Sequence, residues 1–308
     1  MFNVRSWSGR LAACALMALA AGAVAALPGP AAAQIADPAP GFASDRISVE
    51  VMGDGPDVVL IPGMASSREV WRATAEALAP DYRIHLVQLS GFAGQPWVHG
   101  EGDFWRPAAA EIARYIETAG LTRPAIIGHS MGGASGVMLA QDRPELIGRV
   151  MSVDSLPFFS VLYGADMTVE RARPFAAQAA RAGLGLDDAA FRAGQEGLAQ
   201  GMSRDEATRA AMVDWSMASD RLALGLAMRD VMTTDLRPGL AAMTTPVWAV
   251  YAADADGGAP AAMADALWAR EYADLPGVRL ERVDGSRHFI MADQPGAFMA
   301  LVRAFLNE

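Results

Sequence analysis

A chain of 308 residues that is 52% apolar and 19% charged has the make-up of an ordered globular protein, which excludes the polar, highly charged composition of a disordered one. Its 25 basic residues are outnumbered by 35 acids for a formal charge of -10, and no basic cluster stands out, so nucleic acid is excluded as the expected partner. The lone cysteine, Cys14, excludes a disulfide framework and a thiolate metal site.

The first segment carries Arg5 and Arg10, an apolar run from Leu11 to Leu27, and Ala31-Ala32-Ala33 before Gln34. A short basic region, an apolar run and a small-residue cleavage site together predict a secretory signal peptide over residues 1–33, and hence export to the periplasm or beyond. Gly22, Pro28 and Pro30 interrupt a stretch already short for a bilayer span, so no stable membrane anchor is expected. Cleavage would also remove Cys14, leaving an exported protein whose nucleophile must carry oxygen. Residues 34–44, rich in Ala and Pro, read as a linker.

Beyond the linker, Ile47–Val51 and Asp57–Ile61 read as strands, the second running into Pro62-Gly63. Val70, Trp71, Ala75 and Leu78 fall at helical spacing within Ser67–Leu78, and Tyr82–Leu89 is strand-like again. A helix over Asp103–Ala119, a strand at Ala125–Ile127, a helix over Gly132–Gln141 and a strand at Val150–Val153 continue the alternation. Such βα units predict a mostly parallel sheet with helices on both faces.

Strand signals then vanish. Ala-, Met- and Arg-rich helical stretches near 169–182, 187–199, 204–218 and 219–231 predict a helical cap, residues 157–240, inserted between two strands. The sheet resumes with Val247–Tyr251, a helix at about 260–274, a strand at Val278–Val283 and a last helix over Pro295–Leu306. Residues 45–156 and 241–308 thus form one α/β core.

Gly128-His129-Ser130-Met131-Gly132 lies between a predicted strand and a predicted helix, the context of a nucleophile elbow. There a sharp turn exposes the serine oxygen, and side chains at positions 128 and 132 would collide. A serine hydroxyl is a weak nucleophile and needs an adjacent base. Of the four histidines, His85 falls in a strand, His99 in a Gly-rich loop, and His129 adjoins the serine with its side chain expected to point elsewhere. His288, after the last strand and before the terminal helix, is the expected base.

An acid must orient that imidazole. Asp254 and Asp256 both follow the Val247–Tyr251 strand, and Asp154 follows Val150–Val153; Asp254 is the first choice of the three. The oxyanion donors are expected to be the backbone amides of Met131, after the nucleophile, and of Met64, in the loop after Pro62-Gly63.

Pro62-Gly63-Met64, Gly128 to Gly133, and His288 with Asp293-Gln294-Pro295 resemble the α/β-hydrolase superfamily over residues 47 to 306. Pro62 stands where that family often has histidine, and Ala252 where a glycine usually precedes the acid loop, which leaves the acid's register open. The resemblance implies an α/β-hydrolase fold and, with serine rather than aspartate at the elbow, acyl transfer to water without metal or organic cofactor. The expected activity is carboxylic ester hydrolysis of a small, partly apolar substrate, with lactone, amide or carbon–carbon bond hydrolysis and a non-catalytic binding role as alternatives. Phe158, Phe159, Tyr163, Met167, Met212, Trp215, Met217 and Met228 are candidate lining residues from the cap.

Overall fold

The computed structural model describes residues 41–308, so the leader and most of the linker read from the sequence lie outside the described residues. The chain enters through β1 (Ile47–Met52) and β2 (Asp57–Ile61), then a 3-10 turn capped by Ser67 leads into α1 (Arg72–Leu78) and β3 (Arg83–Leu89). Next come α2 (Trp105–Thr118), β4 (Ala125–His129), α3 (Met131–Asp142) and β5 (Arg149–Val153).

A helical segment follows: α4 (Val169–Ala182), α5 (Asp188–Met202), α6 (Glu206–Ala218), α7 (Arg221–Thr233) and the short α8 (Arg237–Leu240). The first four start where a side chain can satisfy a free amide: Thr168, Asp187, Asp205 and Asp220 each accept from the third residue on. β6 (Val247–Ala253), α9 (Ala261–Glu271), β7 (Arg279–Asp284), α10 (Ile290–Asp293) and α11 (Pro295–Leu306) complete the chain. Among the described residues no helix is long and apolar enough to cross a membrane.

The strands form one sheet in the order β1-β3-β2-β4-β5-β6-β7, parallel except where β1 pairs with β3. Strand alternation divides the core between the two faces. Val59, Ile61, Val87 and Ile126 pack with α2, α3 and α9; Val58, Leu60, Leu86 and Ile127 pack with α1 and α11. Both faces being covered explains why these strands read as continuous apolar runs.

The helical segment is fastened to the core at two places. Asp230 on α7 is buried and accepts from the amides of Phe104 and Trp105, capping α2 from across the molecule. On the other flank Asp293 of α10 accepts from the Ser203 hydroxyl and from the amides of Arg204 and Asp205, at the α5–α6 junction.

Candidate active site

All the sequence-derived candidates lie at the carboxyl ends of the parallel strands, where open α/β sheets hold their ligands. Ser130 joins β4 to α3 with φ 54° and ψ -124°, a conformation that costs a non-glycine residue of the order of 1–3 kcal/mol. It is held by its own backbone: the amide donates to the Val153 carbonyl at 2.9 Å, and its carbonyl accepts from Gly133 and Ala134. The hydroxyl caps nothing and faces the cavities described below.

The glycines at the turn have the steric role expected. A Cβ on Gly132 would stand 2.3 Å from the Ile61 carbonyl oxygen, and one on Gly128 only 2.1 Å from that of Gly132. Backbone cannot swing aside as a side chain does. Gly132→Ala is therefore expected to cost about 3 kcal/mol of stability by overpacking, read by urea denaturation, and to displace Ser130 in whatever folded fraction survives.

His288 follows β7, and its Nδ1 lies 2.6 Å from Asp154 Oδ2. This corrects the expectation for the acid, because Asp154 and not Asp254 holds the ring. Asp154 directly follows β5 with φ 44°, and its other oxygen accepts from the Ala252 amide at 3.0 Å, so its carboxylate is fixed from β6 as well. Asp254 is buried and committed elsewhere: Arg204 Nε and Nη2 and Arg287 Nε all donate to it. The Arg204 hydrogen bond, opposed by burial and reinforced by Arg287, holds its carboxyl well below the usual range. Asp256 is exposed and meets Arg204 at 3.0 Å.

His129 is the residue that sequence reasoning set aside and the structure brings in. Its Nε2 lies 2.9 Å from the His288 carbonyl oxygen, and the two rings stand 4.4 Å apart between centroids. Its Nδ1 is buried without a hydrogen-bond partner among the described residues, beside Gly63, where a Cβ would come within 3.1 Å of it. With Nε2 donating to a carbonyl and Nδ1 bare, the ring is neutral. Burial, then the charge of His288, push its pKa well below 6.5.

His85 is a second buried neutral histidine, on β3 at the far end of the sheet, between the Tyr115 hydroxyl at 2.7 Å and Asp57 at 2.9 Å. Burial lowers its pKa more than Asp57 raises it. Both rings therefore bind a proton more readily in the unfolded chain, so their contribution is complete above about pH 6.5 and declines as pH falls below it. Stability is expected to fall as pH drops below about 6.5, by at most about 1.4 kcal/mol per pH unit for each ring. Urea unfolding at several pH values measures this, and His85→Gln should make the slope shallower.

The amides of Met64 and Met131 have no hydrogen-bond acceptor among the described residues. Met131 opens α3, so its amide belongs to a helix N-terminus, where the dipole favours negative charge. Ser130, His288 and Met64 line two cavities at once, of about 360 and 470 Å³. Of the eight candidate lining residues named above, Met212, Trp215 and Met228 line the first cavity, and Phe159, Tyr163 and Met228 the second. Phe158 is instead fully buried beneath the Arg237 guanidinium, and Met167 and Met217 line neither cavity. Among the described residues no group of three or more His, Cys, Asp or Glu is arranged to hold a metal ion.

A sequence model described as "Alpha/beta hydrolase family" matches residues 58–301. Among curated relatives, a pimeloyl-(acyl-carrier protein) methyl ester esterase of Aeromonas hydrophila is 37% identical over 114 residues, 37% of this chain and 43% of that protein. A fluoroacetate dehalogenase of a Burkholderia species is 28% identical over 130 residues, 41% of this chain and 43% of that protein. The aligned segments thus span less than half the length of these curated relatives. Among solved structures, an enol-lactonase from Burkholderia xenovorans superposes with a TM-score of 0.69 at 19% identity, covering 85% of this chain and 96% of that one. An esterase from Exiguobacterium antarcticum does so with a TM-score of 0.70 at 18% identity and the same 85% and 96% coverage. These likenesses concern the fold.

Proposed function

The chain belongs to the α/β hydrolase family, and on that footing we propose that it is a serine hydrolase that cleaves carboxylic esters through an acyl-enzyme on Ser130. The observation that supports this reading most directly is the hydrogen bond from His288 to Asp154, on a histidine that shares two cavities with an unengaged, strained serine.

Asp154 holds Nδ1, so Nε2 is the nitrogen of His288 that takes up a proton. The Ser130 hydroxyl attacks the ester carbonyl while His288 accepts its proton, and the amides of Met64 and Met131 stabilise the oxyanion. The C–O bond to the alcohol breaks as imidazolium returns the proton to the leaving oxygen. Water, deprotonated by the same ring, then releases the acid and restores the hydroxyl. Asp154 keeps its charge throughout and stabilises the imidazolium. Two features of the relatives agree with this reading: an esterase is among the curated matches and an esterase among the superposed structures. Residues 1–33 are proposed to direct export, and N-terminal sequencing of the mature protein would locate their removal near Ala33.

A fluorophosphonate probe tests the nucleophile. The purified protein is expected to be labelled stoichiometrically and Ser130→Ala not at all. Labelling that persists in the variant refutes the assignment, and labelling of neither supports a ligand-binding role for the same pocket.

A further inference from the structure

Ser130, His288, Met64, Met202 and Met228 form the whole boundary that the two cavities share. A carbonyl brought to Ser130 would therefore lie where the two cavities adjoin, at a waist flanked by a chamber on each side. The first chamber is walled by α4 to α7, with Phe191, Leu198, Met212, Trp215 and Leu224 among its residues. The second lies between β5, the start of the helical segment and α9, with Leu156, Phe159, Leu267 and Trp268. Each is of the size that houses a compact organic group, about 300 Å³ or more, and both are mostly apolar.

The charged groups facing these chambers are already engaged. In the first, Arg221 donates to Asp188 and to the carbonyls of Gly183 and Leu186, and it stacks on Phe191. In the second, Asp154 is held by His288 and the Ala252 amide, and Asp254 is held by Arg204 and Arg287. A charged substituent brought into either chamber would lose its hydration and find no free counterion, which is costly. The second chamber also reaches the surface between Leu162, Tyr163 and Met263, exposed at 61%, 68% and 61%. An apolar group longer than the chamber thus has an apolar exit.

Resting on the ester-hydrolase reading, we infer that the substrate is a neutral ester with an apolar group of several carbons on each side of the scissile bond, the acyl group in one chamber and the alcohol in the other. Both arms then contribute binding that orients the carbonyl at the waist. A short methyl ester fills one chamber and leaves the other empty. A dicarboxylic half-ester presents a charge that neither wall accommodates.

Hydrolysis rates of methyl acetate, methyl hexanoate, hexyl acetate, hexyl hexanoate and monomethyl adipate by the purified protein decide this. Each methylene added to either arm is expected to raise kcat/KM by about fourfold, the burial of one CH₂, and monomethyl adipate is expected to lie at least tenfold below methyl hexanoate. Leu224→Trp fills the first chamber and Leu267→Trp the second. One should abolish the gain from the acyl arm and the other the gain from the alcohol arm. Should either tryptophan variant fail to fold, the phenylalanine at the same position replaces it, and the length series on the unaltered protein still gives its own answer. A gain confined to one arm, loss of the same arm in both variants, or preference for the half-ester overturns the two-chamber assignment. If no ester is cleaved and Ser130 takes no label, the underlying hydrolase reading has failed instead.

Discussion

Replacing Ser130 with alanine is expected to lower kcat for ester hydrolysis by about a millionfold, to the residual rate that binding and the oxyanion donors provide. The loss is large because the hydroxyl is the atom that forms the new bond, and no cysteine among the described residues can substitute for it. Folding should not suffer. The turn is held through backbone bonds at Ser130 N and O, and the hydroxyl makes no cap. The melting temperature of the variant should stay close to that of the unaltered protein, separating chemistry from stability. His288→Ala should cost nearly as much, and the double variant little more than either, since the two act as one unit. Additive losses would show that they act independently, against the mechanism.

The second large effect distinguishes the two aspartates. Asp154→Asn is expected to lower kcat by about 10⁴-fold, because an amide in its place favours the wrong tautomer of His288 and cannot stabilise imidazolium. Asp254→Asn should leave kcat within about threefold. It removes instead the carboxylate that draws Arg204 and Arg287 together, so thermal stability should fall while turnover persists. Steady-state kinetics beside thermal unfolding reads both outcomes. The reverse pattern, with Asp254→Asn inactive and Asp154→Asn active, would assign the acid to the β6 loop after all.

Those aspartates also mark where local sequence stops being informative. Ser130 and His288 were legible because each lies in a local pattern: Ser130 has glycines two residues either side, and both residues follow a strand and precede a helix. The acid has no such signature. Asp154, Asp254 and Asp256 all follow a predicted strand, and the choice among them depends on groups distant in the chain. Arg204, 50 residues before Asp254, takes that carboxylate, and the Ala252 amide, 98 residues after Asp154, fixes the other. A local hint existed in Arg287, the residue directly before the histidine and a competitor for any nearby acid. His129 escaped for a different reason: its neighbour in the chain suggested a side chain turned away, whereas the sharp backbone turn leaves it under the His288 carbonyl.

The strand and helix alternation of the core carried through to the sheet, since burial on both faces imposes long apolar runs that show in any window of the chain. Short elements did not. The four-residue helices Arg237–Leu240 and Ile290–Asp293 are too brief to express a 3.6-residue period and owe their form to their surroundings.

Asp230 and Asp293 pin opposite flanks of the helical segment to the core by hydrogen bonds to main-chain amides. Because each carboxylate closes off several main-chain donors at once, losing either one would leave amides bare as well as loosening an attachment, so Asp230→Ala and Asp293→Ala should each cost more stability than the loss of a single hydrogen bond.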